Sequence, residues 1–341
     1  MKLNIFLGYA CNFKCSYCLQ DPGKETAVRQ KGGVSEFVER VVPQLSGKRI
    51  DLLGYWGGEP LLYWQTIRDL QSALFEAGID VRAIRVTTNA SLLTPEIVGD
   101  LNAMGAHVVV SDHGSFGEPA WDLVRHLERF SLHFLFTGKA PTAWPWFDRI
   151  KETEDRIGRR VFPHVGWVRA MDGCDPAYWM TPEDLALHLS HLWDLAEMRI
   201  SGDRLASDLL EGPYQEWREA MTRSNSVIEP LCYGSDHVSV DLSGNRYVCH
   251  HSVDRSLKTG EMFKTGRTKA EQSAEASAAR FVETENCRNC AINHWCRGNC
   301  HRSRTHEVDC RLAKAKHEIF SWIAQQEGLR HGGLYHHAHR S

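Results

Sequence analysis

The chain has 341 residues, 42% of them hydrophobic and 24% charged, with a formal net charge of -3 and eleven cysteines. This profile excludes a disordered chain, a collagen-like fibre and a small disulfide scaffold. Near-neutral charge also argues against wholesale coating of nucleic acid, and the length suits one large domain with a smaller one beside it.

In chain order, β-favouring runs fall at 3–7, 50–53, 84–88, 107–111, 132–136 and 162–168, with amphipathic segments between them at 35–45, 64–77, 95–104, 120–130 and 144–153. Thr94 is a natural N-cap for the third amphipathic segment, with Pro95 at its first helical position. Six strand–helix units predict an α/β fold with a parallel sheet, a partial (β/α)6 TIM-type barrel. In such a barrel reactive groups gather at the C-terminal ends of the strands. From Thr181 the pattern is helical to about residue 223, with a break near 201–203. After Pro230 it becomes irregular, with one hairpin at 238–242 and 246–249 around Ser243-Gly244-Asn245 and a last helix at 311–325. The expected division is therefore 1–200 barrel, 201–229 helical bridge, 230–327 cysteine-rich domain and 328–341 flexible tail. The apolar run before Cys11 is too short for a signal core, and no run approaches the ~18 residues of a membrane helix. A cytoplasmic protein with no membrane partner is expected.

The cysteines fall as a triplet (Cys11, Cys15, Cys18), a singleton (Cys174) and a crowd of seven (Cys232, Cys249, Cys287, Cys290, Cys296, Cys300, Cys310). An odd count in tight groups predicts metal binding in a reducing compartment rather than disulfides. The triplet follows the first strand, so one loop brings three thiolates to a cubane cluster and leaves the fourth iron without a protein ligand. A zinc site borrowing a distant ligand is the alternative.

Cys11-Asn12-Phe13-Lys14-Cys15-Ser16-Tyr17-Cys18, with an aromatic residue before the third cysteine, resembles the hallmark of the radical S-adenosylmethionine superfamily. The resemblance implies that the open iron chelates S-adenosylmethionine and that electron transfer yields a 5'-deoxyadenosyl radical. It places Tyr17 against the adenine. Gly57-Gly58-Glu59-Pro60, after the second strand, looks like the family's Gly-Gly-Glu motif, whose backbone and carboxylate hold the methionyl ammonium. Glycine there admits close approach of backbone to ligand. The plain alternative for Glu59 is an exposed acid in a helix first turn. Asn89, Ser111 and Asp112 resemble the family's ribose and carboxylate contacts, although Ala90 and His113 depart from the usual glycines, and turn chemistry explains such residues equally.

The seven late cysteines, with Gly244 between the first two, resemble the SPASM subfamily, so the fold class becomes a partial barrel with a C-terminal cysteine-rich auxiliary-cluster (SPASM) domain. By the family's arrangement Cys287, Cys290, Cys296 and Cys310 hold one cluster and Cys232, Cys249 and Cys300 another. Three 4Fe-4S clusters are thus expected, with S-adenosyl-L-methionine as co-substrate and a flavodoxin or ferredoxin type electron donor. One or two structural zinc sites remain the alternative. The subfamily implies a peptide or protein substrate, modified by crosslinking, epimerisation or excision. A nucleotide or nucleic-acid base is the second enzymatic reading, and a zinc-stabilised binding module the non-enzymatic one. Arg288, Arg297, Arg302, Arg304 and Arg311 either tune the clusters or form a solvated basic face. Cys174, after the sixth strand, is the candidate hydrogen-atom donor or substrate contact, against the bland reading of a small buried side chain. Trp56, Trp64, Trp144 and Trp146 are expected mainly in packing, with one or two lining a substrate groove.

Overall fold

The computed structural model describes residues 1–18, 32–168, 170, 174–222, 237–247, 258–261, 287, 289–296 and 303–330. Six parallel strands follow one another in both sequence and space: β1 (Lys2–Phe6), β2 (Leu52–Trp56), β3 (Ile84–Thr88), β4 (His107–Ser111), β5 (Phe130–Phe136) and β6 (Pro163–Trp167). Helices α1 (Val34–Arg40), α2 (Trp64–Glu76), α3 (Pro95–Ala103), α4 (Trp121–Val124) and α5 (Trp144–Ile157) occupy the connections. This is an α/β fold whose parallel sheet resembles a partial barrel.

The hairpin extends that sheet. Its first strand, β7 (His237–Asp241), pairs parallel with the free edge of β1, and β8 (Asn245–Tyr247) and β9 (Lys258–Glu261) continue outward antiparallel. The C-terminal region is therefore joined to the barrel by a shared ladder and not merely laid on it. Beyond β6 the chain forms α6 (Pro182–Ile200) and α7 (Arg204–Thr222), and after the one-turn α8 (Asn293–Cys296) ends in α9 (His306–Arg330).

Local chemistry fixes these starts and stops. Thr94 Oγ1 accepts from the Ile97 N–H at 3.2 Å and Pro95 opens α3. Thr181 and Asp184 form a reciprocal capping box at α6, which ends before Gly202 in the left-handed region. The segment 120–130, expected as a full helix, gives only the single turn of α4. Asn102 binds the His126 carbonyl and the Glu128 N–H, both at 2.9 Å, and pulls the chain out of the helix into an early start of β5. The last helix is longer than the expected 311–325. It packs on α6 and α7 through Trp193–Trp322 and through Arg199, which pairs with both Glu211 and Glu327.

The two faces of the sheet differ in chemistry. Leu3, Ile5, Leu53, Tyr55, Val86, Val108, Val110, Leu132 and Phe134 are buried against the helices. In the strands' alternation the other face carries Asn4, Gly54, Arg85, His107, His133 and His164.

Candidate active site at the strand ends

The triplet loop leaves β1 at its C-terminal end. None of the three is in a disulfide, with Cys15 buried and Cys11 and Cys18 half-buried. The loop turns on a Cys18 N–H to Cys15 carbonyl bond at 3.0 Å, and the Phe13 N–H points at Cys11 Sγ at 3.4 Å. Two neighbouring strand ends hold it in place.

From β2, the Gly57-Gly58 turn lies directly on the loop. The Gly58 N–H donates to the Gly8 carbonyl and the Glu59 N–H to the Ala10 carbonyl, each at 2.8 Å, prolonging the β1–β2 ladder. A Cβ on Gly58 would stand 2.2 Å from the Ala10 oxygen and 2.5 Å from the Tyr9 oxygen, and one on Gly57, at φ +154°, 2.5 Å from the Gly8 oxygen. The glycines are thus required by backbone packed on backbone, a reason the sequence reading had assigned to the ligand.

Glu59 is buried, 1% exposed, and not the exposed helix-start acid of the plain alternative. Its Oε1 accepts from the Leu61 N–H at 2.9 Å and the Thr88 hydroxyl at 2.5 Å, and its Oε2 from the Asn89 N–H at 2.8 Å. Burial raises its pKa, and the three donors oppose that shift.

From β3, Asn89 Nδ2 donates to Asn12 Oδ1 at 2.9 Å, Asn12 Nδ2 to Ser91 Oγ at 2.8 Å, and Ser91 Oγ back to Asn89 Oδ1 at 2.7 Å. This closed ring ties the cysteine loop to the end of β3. Ala90 adopts φ 56° and is fully buried, so the position where a glycine is usual keeps a left-handed backbone despite its methyl group.

Tyr17 stands in an aromatic cage. Its hydroxyl is hydrogen-bonded to His113 Nδ1 at 2.7 Å, and its ring meets Phe116 and Tyr178 edge-on at 5.4 and 5.3 Å. Burial, reinforced by Cys15 and Cys18, raises its phenol pKa well above the ordinary value. Ser111 is buried at the end of β4. Asp112 beside it accepts from Arg149 Nε at 2.7 Å and the Gly114 N–H at 3.0 Å, so both its oxygens are engaged within the protein.

After β6, Cys174 is buried and its thiol donates to the Tyr17 carbonyl at 3.3 Å, while the Asp175 N–H binds the Ser16 carbonyl at 3.0 Å. The singleton cysteine thus rests on the triplet loop. The C-terminal region reaches the same place, where the Arg304 N–H donates to the Ala170 carbonyl at 2.6 Å.

Residues 5–114, which contain the triplet, the Gly-Gly-Glu turn and the ends of β3 and β4, match the family model of the Radical SAM superfamily. The matched stretch is about a third of the chain. Among curated proteins, the GTP 3',8-cyclase of Stenotrophomonas maltophilia (strain R551-3) is 32% identical over 99 residues. That stretch is 28% of this chain and 29% of the cyclase's own length. Among solved structures, native anSMEcpe with bound AdoMet has a TM-score of 0.70 at 16% identity, covering 95% of this chain and 98% of that one. Native anSMEcpe with bound AdoMet and Cp18Cys peptide gives 0.72 at 16% identity, over 96% and 100%. At such identity the likeness is one of fold.

The donor set of the triplet loop fits an iron–sulfur cluster. Three unoxidised thiols share one loop, and a cubane asks for one thiolate per iron. Of the late cysteines, Cys287, Cys290, Cys296 and Cys310 are described and none is in a disulfide, and the Cys290 N–H binds the Cys287 carbonyl at 3.1 Å. Burial raises the Cys310 thiol pKa; Lys314 opposes this, and neighbouring Cys290 and Cys287 add to it. Cys232, Cys249 and Cys300 lie outside the described residues, as do Arg288, Arg297, Arg302 and the tail from 331.

Sequence reasoning missed Asn12, Ser91 and His113, whose roles depend on loops that meet only in space. It also passed over the polar alternation within the strands, at Asn4, Arg85, His107, His133 and His164. A parallel sheet covered on both faces would be apolar at those positions, so their polarity was the available signal. Of the tryptophans, Trp56 shares the polar face's upper rim with Phe6 and Tyr9, whereas Trp146 packs on Phe134.

Proposed function

We propose that the chain is a radical S-adenosylmethionine enzyme that abstracts hydrogen from a ribosomally made peptide or protein. The observation that carries this reading is the pairing of two strand-end loops, with the three unoxidised thiols on one and the Gly57-Gly58-Glu59 turn zipped against it. Cys11, Cys15 and Cys18 would hold a cluster that, when reduced, would supply the electron for cleaving S-adenosylmethionine to a 5'-deoxyadenosyl radical.

The chain's own residues orient and enclose that chemistry. The Asn12–Asn89–Ser91 ring and the backbone zipper fix the thiolate loop. A carboxylate offers about four lone-pair sites; Glu59 spends three on Thr88, Leu61 and Asn89, which leaves one for the methionyl ammonium. Tyr17, steadied by His113, offers its ring to the adenine, and Ser111 and the backbone near Asp112 complete the rim. Cys174 is positioned beside the loop as hydrogen-atom donor or substrate contact. Cys287, Cys290, Cys296 and Cys310 hold one auxiliary cluster, and Cys232, Cys249 and Cys300 form the second ligand set.

Support for a peptide comes from the fold shared with anSMEcpe, one structure of which holds a peptide. The cyclase match favours a nucleotide as second reading. Reconstituted, reduced protein is incubated with S-adenosylmethionine and either a candidate precursor peptide or GTP, and 5'-deoxyadenosine is measured. Stimulation by peptide supports the first reading, stimulation by GTP alone the second, and no product in any mixture refutes both.

A further inference from the structure

The ladder registers align a polar row across the concave face. Ser239, Asn4, Gly54, Arg85 and His107 are successive partners on β7, β1, β2, β3 and β4, and Ser111, His133 and His164 on β4, β5 and β6 form a second row, in which His133 and His164 stand, like Arg85, three residues before the ends of their strands. Partners in a parallel ladder point to the same side, so these side chains share one lumen. At the middle of its floor the Asn4 side chain lies over Gly54, where a Cβ would meet Asn4 Oδ1 at 2.3 Å.

This lumen is cationic and short of counter-charge. Arg85 is half-buried and has no hydrogen-bond or ion-pair partner among the described residues. Burial lowers its pKa, as expected for a guanidinium held from water with nothing to balance it. Burial, with Arg85 nearby, lowers the pKa values of His107 and His164, so both stand near it as neutral rings, and the His133 and His164 rings are 5.0 Å apart. Of the carboxylates, Glu216 on α7 faces His164. Asp241, at the end of β7, is spent on Ser243 and Asn245 in the hairpin turn. His164 nonetheless stays exposed, so the lumen admits solvent and small solutes.

We propose that this concave face anchors an oxyanion of the substrate, a carboxylate or a phosphate, gripped by Arg85 with His107 and His164 beside it. A guanidinium offers a planar fork that matches either group. Arg85 lies three residues before the end of β3, so the anion is held roughly 10 Å below the strand ends at about 3.3 Å per residue. For a peptide that span is about three extended residues, which places the reacting residue some three positions from a C-terminal or acidic side-chain carboxylate.

This deepens the proposed function by naming what is gripped, but its test needs no radical chemistry. Isothermal titration of the full chain is run with acetyl-trialanine, its C-terminal amide and inorganic phosphate. The wild type is expected to bind the free acid or phosphate at least tenfold more tightly than the amide. Arg85→Met is expected to erase that preference, Arg85→Lys to keep part of it, and the exposed-site variant His164→Gln to weaken it several-fold. Tighter binding of the acid or of phosphate identifies the group. Equal binding of acid and amide without phosphate binding, no binding of any probe, or an unchanged preference in Arg85→Met with His164→Gln overturns the proposal. Should Arg85→Met fail to fold, the amide comparison and His164→Gln decide alone. Measuring 5'-deoxyadenosine on the same preparations reads the radical chemistry separately, so either idea can fail while the other stands.

Discussion

Replacing Gly58 by alanine tests whether the cysteine loop depends on backbone packing. The new Cβ would sit 2.2 and 2.5 Å from two backbone oxygens, where ordinary contact begins at 3.4 Å. The turn must therefore withdraw by about an ångström from carbonyls that cannot rotate aside. Retreat breaks the Gly58–Gly8 and Glu59–Ala10 bonds, both 2.8 Å long. Each broken bond costs about 1–3 kcal/mol where it leaves a buried group unsatisfied, so losing the two costs on the order of 2–6 kcal/mol. The assay is urea unfolding by circular dichroism, together with iron bound after anaerobic reconstitution. Gly78→Ala is the control: Gly78 has φ +66° and nothing within 4 Å of a Cβ, so it carries only the left-handed strain of about 1–2 kcal/mol. Gly58→Ala is expected to lose about four irons, and Gly78→Ala none. A Gly58→Ala protein that unfolds like the wild type and binds as much iron would refute the reasoning.

Other consequences follow from single contacts. Arg149→Ala removes the partner of a carboxylate that is 0% exposed; the expected cost is about 3 kcal/mol in the urea midpoint, partly recovered by Arg149→Lys, and a change below about 0.5 kcal/mol would contradict it. His188 is 2% exposed and its Nδ1 donates to the Pro141 carbonyl at 2.6 Å; burial and Lys316 hold its pKa down to about 4. The unfolded chain, with a His pKa near 6.5, takes up the proton first as pH falls, so His188 favours the native state fully above about pH 6.5 and progressively less below it. The loss reaches on the order of 3 kcal/mol by pH 4, and the stability difference between His188→Gln and the wild type should change with pH by that amount. Cys174→Ala is expected to lower 5'-deoxyadenosine-dependent turnover, and full turnover would discard the hydrogen-donor role in favour of the bond to the Tyr17 carbonyl.

Much of the barrel was legible because strand and helix periods alternate cleanly. Thr94 and Thr181 announced their helices as expected, since a cap is a local interaction. The hairpin around Gly244 was legible too, but its junction with β1 was not, because no local pattern says which edge a strand will join. The short α4 escaped for a similar reason: Asn102, some twenty residues earlier, ends it. At the site, the cysteine spacing and the Gly-Gly-Glu turn stood out in sequence, while the physical role of the glycines emerged only when the two loops met. Asp112 was picked by its place after a strand, and only the fold supplies Arg149 as its partner. The cationic lumen was hidden in plain alternation, since Arg85, His107 and His164 lie on different strands and acquire a common meaning only through register.

The most direct measurement is 5'-deoxyadenosine released by anaerobically reconstituted, dithionite-reduced protein given S-adenosylmethionine, compared with a Cys15→Ala variant. Product is expected from the wild type and none from Cys15→Ala, with the variant short by about four irons per chain. A wild type that carries the iron but releases no 5'-deoxyadenosine, or a Cys15→Ala protein that releases it equally, would contradict the account.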